Sequence, residues 1–245
     1  MGNDSIHGLF GLAHTTDTMN SRIDSVFVGS LRPLPPEGQR SGIFKTPVSG
    51  PVAVGLEGLA GDAQGDRRVH GGPEKAVHYF PAEHYERLAA LVAAAEPALV
   101  DILKPGVLGE NLSGSGLTEA TVCIGDVFAV GTCRLQVSQP RQPCWKINHK
   151  LGHPPMSRLI ADEGCTGWYF RVLTEGVIAA GDAIELLDRP APDMSLARLW
   201  TASEAHRPAP DELHLLAAAA GLNPAWAKRL RERAAWLTNQ SAPPC

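Results

Sequence analysis

Cys133-Arg134-Leu135-Gln136-Val137-Ser138-Gln139-Pro140-Arg141-Gln142-Pro143-Cys144-Trp145-Lys146-Ile147-Asn148 reads as a strand over Cys133 to Ser138 that runs into a loop carrying a thiol. Proline fixes φ and removes an N–H donor, so Pro140 and Pro143 are expected to stop the ladder and hold the loop's side chains in a preset arrangement. Cys144 then stands between two cations, Arg141 and Lys146. Either could stabilise a thiolate, the form in which cysteine is a nucleophile or a metal ligand. The competing reading is a small buried apolar side chain, which is what most cysteines are.

Working outward, further short strands are predicted over residues 22–30 and 42–54, where β-branched residues alternate between prolines and glycines. Others are predicted over 122–124, 126–130, 168–174, around Val177, and over 183–188. A helix is predicted from Pro81, taken as its first residue, toward Ala95, and a short one over 156–163. Many short strands with one or two helices indicate a mainly β fold with α additions. The stretch Arg189-Pro190-Ala191-Pro192-Asp193 marks a boundary. Beyond it three helices are predicted, over 195–206, 211–220 and 224–236, with Ser195 and Asp211 as N-caps and Gly221 as a C-terminal stop. The resulting division is a flexible extension over 1–21, a β-barrel domain over 22–190 and a three-helix domain over 191–245.

A second chemical stretch runs from Gly61 to Val77 and places Arg67, Arg68, His70, Gly71, Gly72 and Lys75 in one turn-rich segment. Glycines let backbone N–H groups converge on an anion, and the neighbouring cations supply charge, so a phosphate site is expected. A solvated, charge-rich hairpin is the bland alternative. The segment is not a P-loop, which would end in Gly-Lys-Ser/Thr, and no G-x-G-x-x-G dinucleotide fingerprint follows a strand.

Composition narrows the class. A chain of 245 residues with 44% hydrophobic residues can bury a substantial core. A net charge of -4 and a pI near 6.1 argue against a basic surface for nucleic-acid polymers. Cys123, Cys133, Cys144, Cys165 and Cys245 are odd in number and irregularly spaced, which suits reduced thiols. No secretory leader, bilayer-length apolar run or myristoylation pattern is read, so a cytoplasmic, unanchored protein is expected. His149 and His153 are four apart, but Gly152 and Pro154 argue against a helix there and against a zinc site. Arg229, Arg231 and Arg233 read as a solvated helix face.

Taken together, these blocks resemble the MOSC domain proteins, and among them the bacterial YiiM type. The matching residues are Gly58 to Asp62, Val69 to Pro73 with Lys75 to Val77, Tyr79, and Glu83 to Tyr85. They continue with Gly109 to Leu112, Gly116 to Glu119, Ile124 to Asp126, Val137 to Asn148, and Gly167-Trp168. The resemblance spans about residues 22 to 237. It implies a MOSC-type barrel followed by a small three-helix domain. It also implies a molybdenum-cofactor enzyme that reduces N-hydroxylated compounds, including N-hydroxylated nucleobases, to the amino form.

By that resemblance Cys144 ligates molybdenum beside the dithiolene of the pterin, setting potential and geometry rather than attacking substrate. Arg67, Arg68, His70, Gly71, Gly72 and Lys75 would hold the phosphate end, Arg141 the phosphate or the pterin ring, and Asn111 a donor–acceptor edge of pterin or substrate. Two electrons and two protons would break the N–O bond and release water, with His70, Glu110 or bound water as proton donor and Glu110 more in keeping with a structural role. No flavin, nicotinamide or iron–sulfur motif is present, so a separate electron-donor protein is implied. Two other classes stay open: a non-catalytic carrier of molybdenum cofactor or sulfur, and a cysteine-dependent transferase or hydrolase with His70 activating Cys144.

Overall fold

The structure is a computed structural model that describes residues 21–65 and 71–241. Arg67, Arg68 and His70, and the extension over residues 1–20, lie outside the described residues. The strands are β1 (Arg22–Val28), β2 (Arg32–Leu34), β3 (Gln39–Ser41), β4 (Thr46–Pro47), β5 (Val52–Gly55), β6 (Gly58–Leu59), β7 (Val77–Pro81), β8 (Leu112–Ser115), β9 (Val127–Val130), β10 (Cys133–Pro140), β11 (Trp168–Thr174), β12 (Gly176–Ile178) and β13 (Ile184–Asp188). The helices are α1 (Glu83–Val92), α2 (Pro97–Val100), α3 (Trp145–Leu151), α4 (Met156–Asp162), α5 (Leu196–Glu204), α6 (Pro210–Ala217) and α7 (Pro224–Ser241).

Eight strands form one sheet in the order β13-β9-β10-β11-β7-β8-β1-β4. The sheet curls until β1 reaches the start of β13. Arg22 bridges Ala183, and the Ile184 N–H donates to the Ser21 carbonyl at 2.9 Å. Inward positions of β10 and β11 follow the two-residue period of a strand: Cys133, Leu135 and Val137 on one, Trp168, Phe170 and Val172 on the other, all buried. Tyr79 pairs in register with Trp168 and stacks on it at 4.5 Å between centroids. The expected mainly β fold with α additions is the fold observed.

All five residues of β7 are buried, because the strand has both faces covered. Val77 and Tyr79 face the barrel core, while Phe80 joins a second cluster with Tyr85, Leu88, Leu108, Ile147, Met156 and Ile160. That second cluster fills the space beneath the crossover that makes β7 and β8 parallel. It also anchors α3. Full burial of one such aliphatic side chain is worth about 1.5–3 kcal/mol, so Ile147 holds the helix that begins one residue after Cys144.

Several sequence expectations are corrected. The ladder does not stop before Pro140. It continues through a bulge between Val137 and Gln139 to a Pro140–Trp168 pair at the strand end, where a missing N–H is tolerated. Pro81 ends β7 instead of opening a helix, and α1 starts at Glu83. The strand expected over 122–124 reduces to a bridge between Cys123 and Ser195. A helix does cover residues 145–151, since Gly152 is its left-handed cap at φ 64° and not an internal breaker. Ser195 caps α5 by accepting the Arg198 N–H at 3.2 Å, but Asp211 lies in the first turn of α6, behind Pro210.

The three C-terminal helices share one hydrophobic cluster with the barrel interior, through Leu196, Leu199, Trp200, Leu213, Leu216, Trp226 and Leu230. The main chain stitches the two parts together. Ile124 N–H donates to Met194, Leu196 N–H to Val122 and Ala197 N–H to Glu119.

Candidate functional site

Cys144 precedes the first turn of α3 in an extended conformation, φ −126° and ψ 163°, and its carbonyl accepts the Ile147 N–H at 3.1 Å. The thiol is partly exposed, whereas Cys123, Cys133 and Cys165 are buried. It opens onto a cleft whose walls come from several separated pieces of chain. Lys75, Asn111, Arg141 and Cys144, all singled out in the sequence, line it together with Lys146. Sequence reasoning missed the roles of Lys45, Gln64, His78 and Tyr169, which line the same cleft. The only local signal for them was the place of Gln64 within the Gly61–Val77 segment and of His78 directly after it.

Arg141 is 5% exposed. Its backbone N–H donates to the Gly167 carbonyl at 3.0 Å and its Nη2 to the Leu108 carbonyl at 3.1 Å, while the buried Nη1 has no hydrogen-bond partner. Lys146 is also 5% exposed, and among the described residues no carboxylate lies within 4 Å of it. Its Nζ lies 5.9 Å from the Trp145 ring centroid. Buried cations without counter-ions cost free energy unless something anionic joins them.

Asn111 is used inside the protein. Its Oδ1 accepts the His78 N–H at 3.1 Å, and its Nδ2 donates to Asp62 Oδ2 at 2.9 Å and to the Phe27 carbonyl at 3.3 Å. The residue therefore clamps β7 and Asp62, with its Nδ2 engaged twice and one acceptor position left on Oδ1. Asp62 in turn accepts the Gly29 N–H at 2.8 Å and pairs with Lys45 Nζ at 2.5 Å, both side chains 6% exposed. Lys45 is thus neutralised in place.

Gly71 serves close approach and Gly72 takes a positive φ of 83°. A Cβ on Gly71 would lie 2.0 Å from Gln64 Oε1, and the Gly72 N–H donates to that same oxygen at 3.2 Å. The Gly72 N–H is therefore engaged by a side chain, not held out for an anion. Lys150, on α3, donates to the Ile43 carbonyl at 2.9 Å and the Val107 carbonyl at 2.7 Å, tying two cleft loops to the Cys144 helix. Burial lowers its pKa to about 8.

Burial, reinforced by Arg141, pushes His78 well below the usual histidine range, so a neutral imidazole faces the cleft. Burial and the charge of Arg229 lower Lys75. Tyr169 is raised by burial, which the Arg141 charge partly offsets. Glu110 is fully buried and does not line the cleft. Its Oε1 accepts from Tyr85 Oη and from the Gly106 N–H, and burial raises its pKa. This matches the structural role read for it in preference to proton donor.

The residues present fit an anionic cofactor bearing a soft metal. A partly exposed thiol shares a cleft with buried cations, one carrying an orphaned N–H, and loops are packed too tightly there for a Cβ. Among the described residues no three His, Cys, Asp or Glu side chains gather to hold a bare ion.

A family model described as the MOSC domain matches residues 66–185. Protein YiiM of Escherichia coli (strain K12) is 36% identical over 210 residues, covering 85% of this chain and 90% of that protein. A protein of Gibberella moniliformis described as a reductase is 39% identical over 157 residues, which are 64% of this chain and 27% of that longer one. Among solved structures, YiiM from Geobacillus stearothermophilus superposes with a TM-score of 0.72 at 33% identity, covering 87% of this chain and 99% of that one.

Proposed function

The chain belongs to the MOSC domain family, and we propose that it is a molybdenum-cofactor-dependent reductase that converts N-hydroxylated compounds, such as N-hydroxylated nucleobases, to the amino form. The observation that carries this reading is the pairing of the Cys144 thiol with the orphaned Arg141 Nη1 in one cleft. A relative described as a reductase supports a redox role. When bound, the cofactor supplies the two-electron chemistry.

Cys144 would hold the metal through its sulfur, with the cations Arg141 and Lys146 lining the same cleft. Arg141 and Lys75 would hold the phosphate and pterin end, together with Arg67, Arg68 and His70 of the segment outside the described residues. Asn111 keeps Asp62 and β7 in register, and Asp62 keeps Lys45 fixed. Reduction of R–NHOH to R–NH2 and water consumes two protons. On the cleft wall the ammonium of Lys75, made more acidic by burial and Arg229, is suited to deliver one, while neutral His78 can accept a hydrogen bond from substrate. A separate redox protein supplies the electrons. Among the described residues no helix is long and apolar enough to cross a membrane.

The test is the molybdenum and pterin content of protein from a cofactor-competent host, followed by turnover of an N-hydroxylated base with an artificial reductant. Stoichiometric molybdenum with amine formation is expected. Cofactor bound without turnover under any donor would turn the reading into a carrier, and protein devoid of molybdenum would end it.

A further inference from the structure

Helix α7, from the far end of the sequence, packs beside the end of β10 and touches the loop that carries Cys144. Asn223, just ahead of it, donates its backbone N–H to the Ser138 carbonyl at 2.8 Å and its Nδ2 to Gln139 Oε1 at 2.5 Å. Its own Oδ1 accepts the Ala225 N–H at 2.7 Å. The start of α7 is therefore bonded to the last residues of β10, immediately before the loop that carries Cys144. Packing of Trp226 and Leu230 into the main core fixes the helix's rotation.

Arg229 follows from that docking. Its guanidinium lies 4.2 Å from the Trp226 ring centroid, and Nη1 donates to Gln142 Oε1 at 3.1 Å. Gln142 lines the cleft two residues before Cys144. Among the described residues Arg229 makes no other hydrogen bond and has no carboxylate within 4 Å, so most of its N–H donors are unengaged. Burial lowers it from the usual arginine range, with Glu204 acting in the opposite direction, and its charge is felt by Lys75 on the cleft wall. Arg229 is exposed, and it both stacks on the buried Trp226 and bonds to the loop that carries Cys144. The expectation of a solvated face holds for Arg229 and Arg231, both exposed, whereas Arg233 is half-buried and donates to the Ser203 and Ala205 carbonyls.

We propose that Arg229 completes the cleft as an anion-binding residue that grips the terminal phosphate of the cofactor, so that the C-terminal helices form part of the binding site. The proposal rests on the cofactor reading above for its ligand. Stacking on Trp226 fixes the plane of the guanidinium while leaving its N–H edge open, which is the arrangement that binds a phosphate through two parallel hydrogen bonds. The bond to Gln142 couples that grip to the Cys144 loop.

The experiment measures binding of inorganic phosphate to the full-length cofactor-free protein by calorimetry, alongside molybdenum retained after expression in a cofactor-competent host. R229Q is expected to weaken phosphate binding about tenfold and to lower retained molybdenum. R229K, which keeps charge but loses the planar fork, should recover only part, and K228Q on the exposed side of the helix should match wild type. A folded R229Q with wild-type phosphate affinity and molybdenum content overturns the proposal, as does wild-type protein that binds no phosphate. If R229Q does not fold, a wild-type phosphate affinity in R229K rejects the two-bond grip. Weakened phosphate binding in R229Q, with no molybdenum in any variant, would sink the cofactor reading and leave the anion site standing.

Discussion

Charges in the cleft and charges in the frame are handled differently. In the frame, Arg189 meets Asp126 through both Nε and Nη2, Arg198 meets Glu212 the same way, and Arg171 chelates Glu74. Each is a planar fork on a carboxylate. In the cleft, Arg141 keeps a buried N–H without a partner and Lys146 is buried with no carboxylate near it among the described residues. The frame arginines are satisfied by carboxylates, and in the cleft Lys45 is paired with Asp62, but Arg141 and Lys146 are buried there without such a partner among the described residues. Unpaired buried cations of this kind favour an anionic ligand, which is what the proposed cofactor site calls for.

The contrast can be broken most severely at the thiol. C144S should lower turnover by at least about a hundredfold and deplete bound molybdenum, while melting temperature stays near wild type, since a partly exposed sulfur contributes little to the core. Activity and metal assays with a thermal melt check this, and a fully active C144S protein removes metal ligation from the account. On the frame side the signs reverse. D126A strands Arg189 and the Cys123 N–H, which now donates to the Asp126 carboxylate at 2.9 Å, and should cost about 3–5 kcal/mol of stability. Denaturant unfolding measures it; any surviving folded protein should bind phosphate as wild type does.

The His84–Glu119 pair, 2.6 Å apart, sharpens the frame side through pH. Burial acts to lower His84, but hydrogen bonds to Cys165 and Glu119 outweigh it and raise the pKa to about 9. A folded pKa above the unfolded value means the contribution is complete below the unfolded value, near 6.5, and is lost as pH rises toward about 9. The stability gap between wild type and H84Q should therefore shrink by roughly 2–3 kcal/mol from pH 6 to pH 9.5. A gap independent of pH would remove the charged imidazole. The smallest effect is expected at Lys146. K146M should stabilise the cofactor-free protein by about 1 kcal/mol and weaken cofactor retention, because a burdened cation in the cleft is exchanged for an apolar side chain of similar length. Melts of the cofactor-free protein and molybdenum analysis of protein from a cofactor-competent host together decide it.

Legibility differed from element to element. β10 and β11 alternate and were readable, and so were the helices after Ser195, because each pattern is local. β7 was not, since a strand buried on both faces loses its alternation, and its closing proline looked like a helix start. β8, Leu-Ser-Gly-Ser, has hardly any strand signal of its own and exists through pairing with β1 and β7. α3 was hidden behind Gly152, whose left-handed φ makes it a cap. Within the site, Cys144, Arg141 and Lys75 could be picked out by type and neighbourhood. Asn111 could be picked out as well, but not its duty, which depends on Asp62 arriving from a loop 49 residues away.

Residue type and local order alone determined the mainly β class, the helical end and the loop that presents the thiol, because propensity, proline placement and side-chain chemistry act over a few positions, and the ordered motif blocks carried the resemblance to the MOSC family. Which charges are neutralised, which glycines make room and which far helix leans on the thiol loop were decided only by the tertiary structure. Burial and ion pairing are relations between segments that meet only once the sheet has curled and the last helix has packed against it.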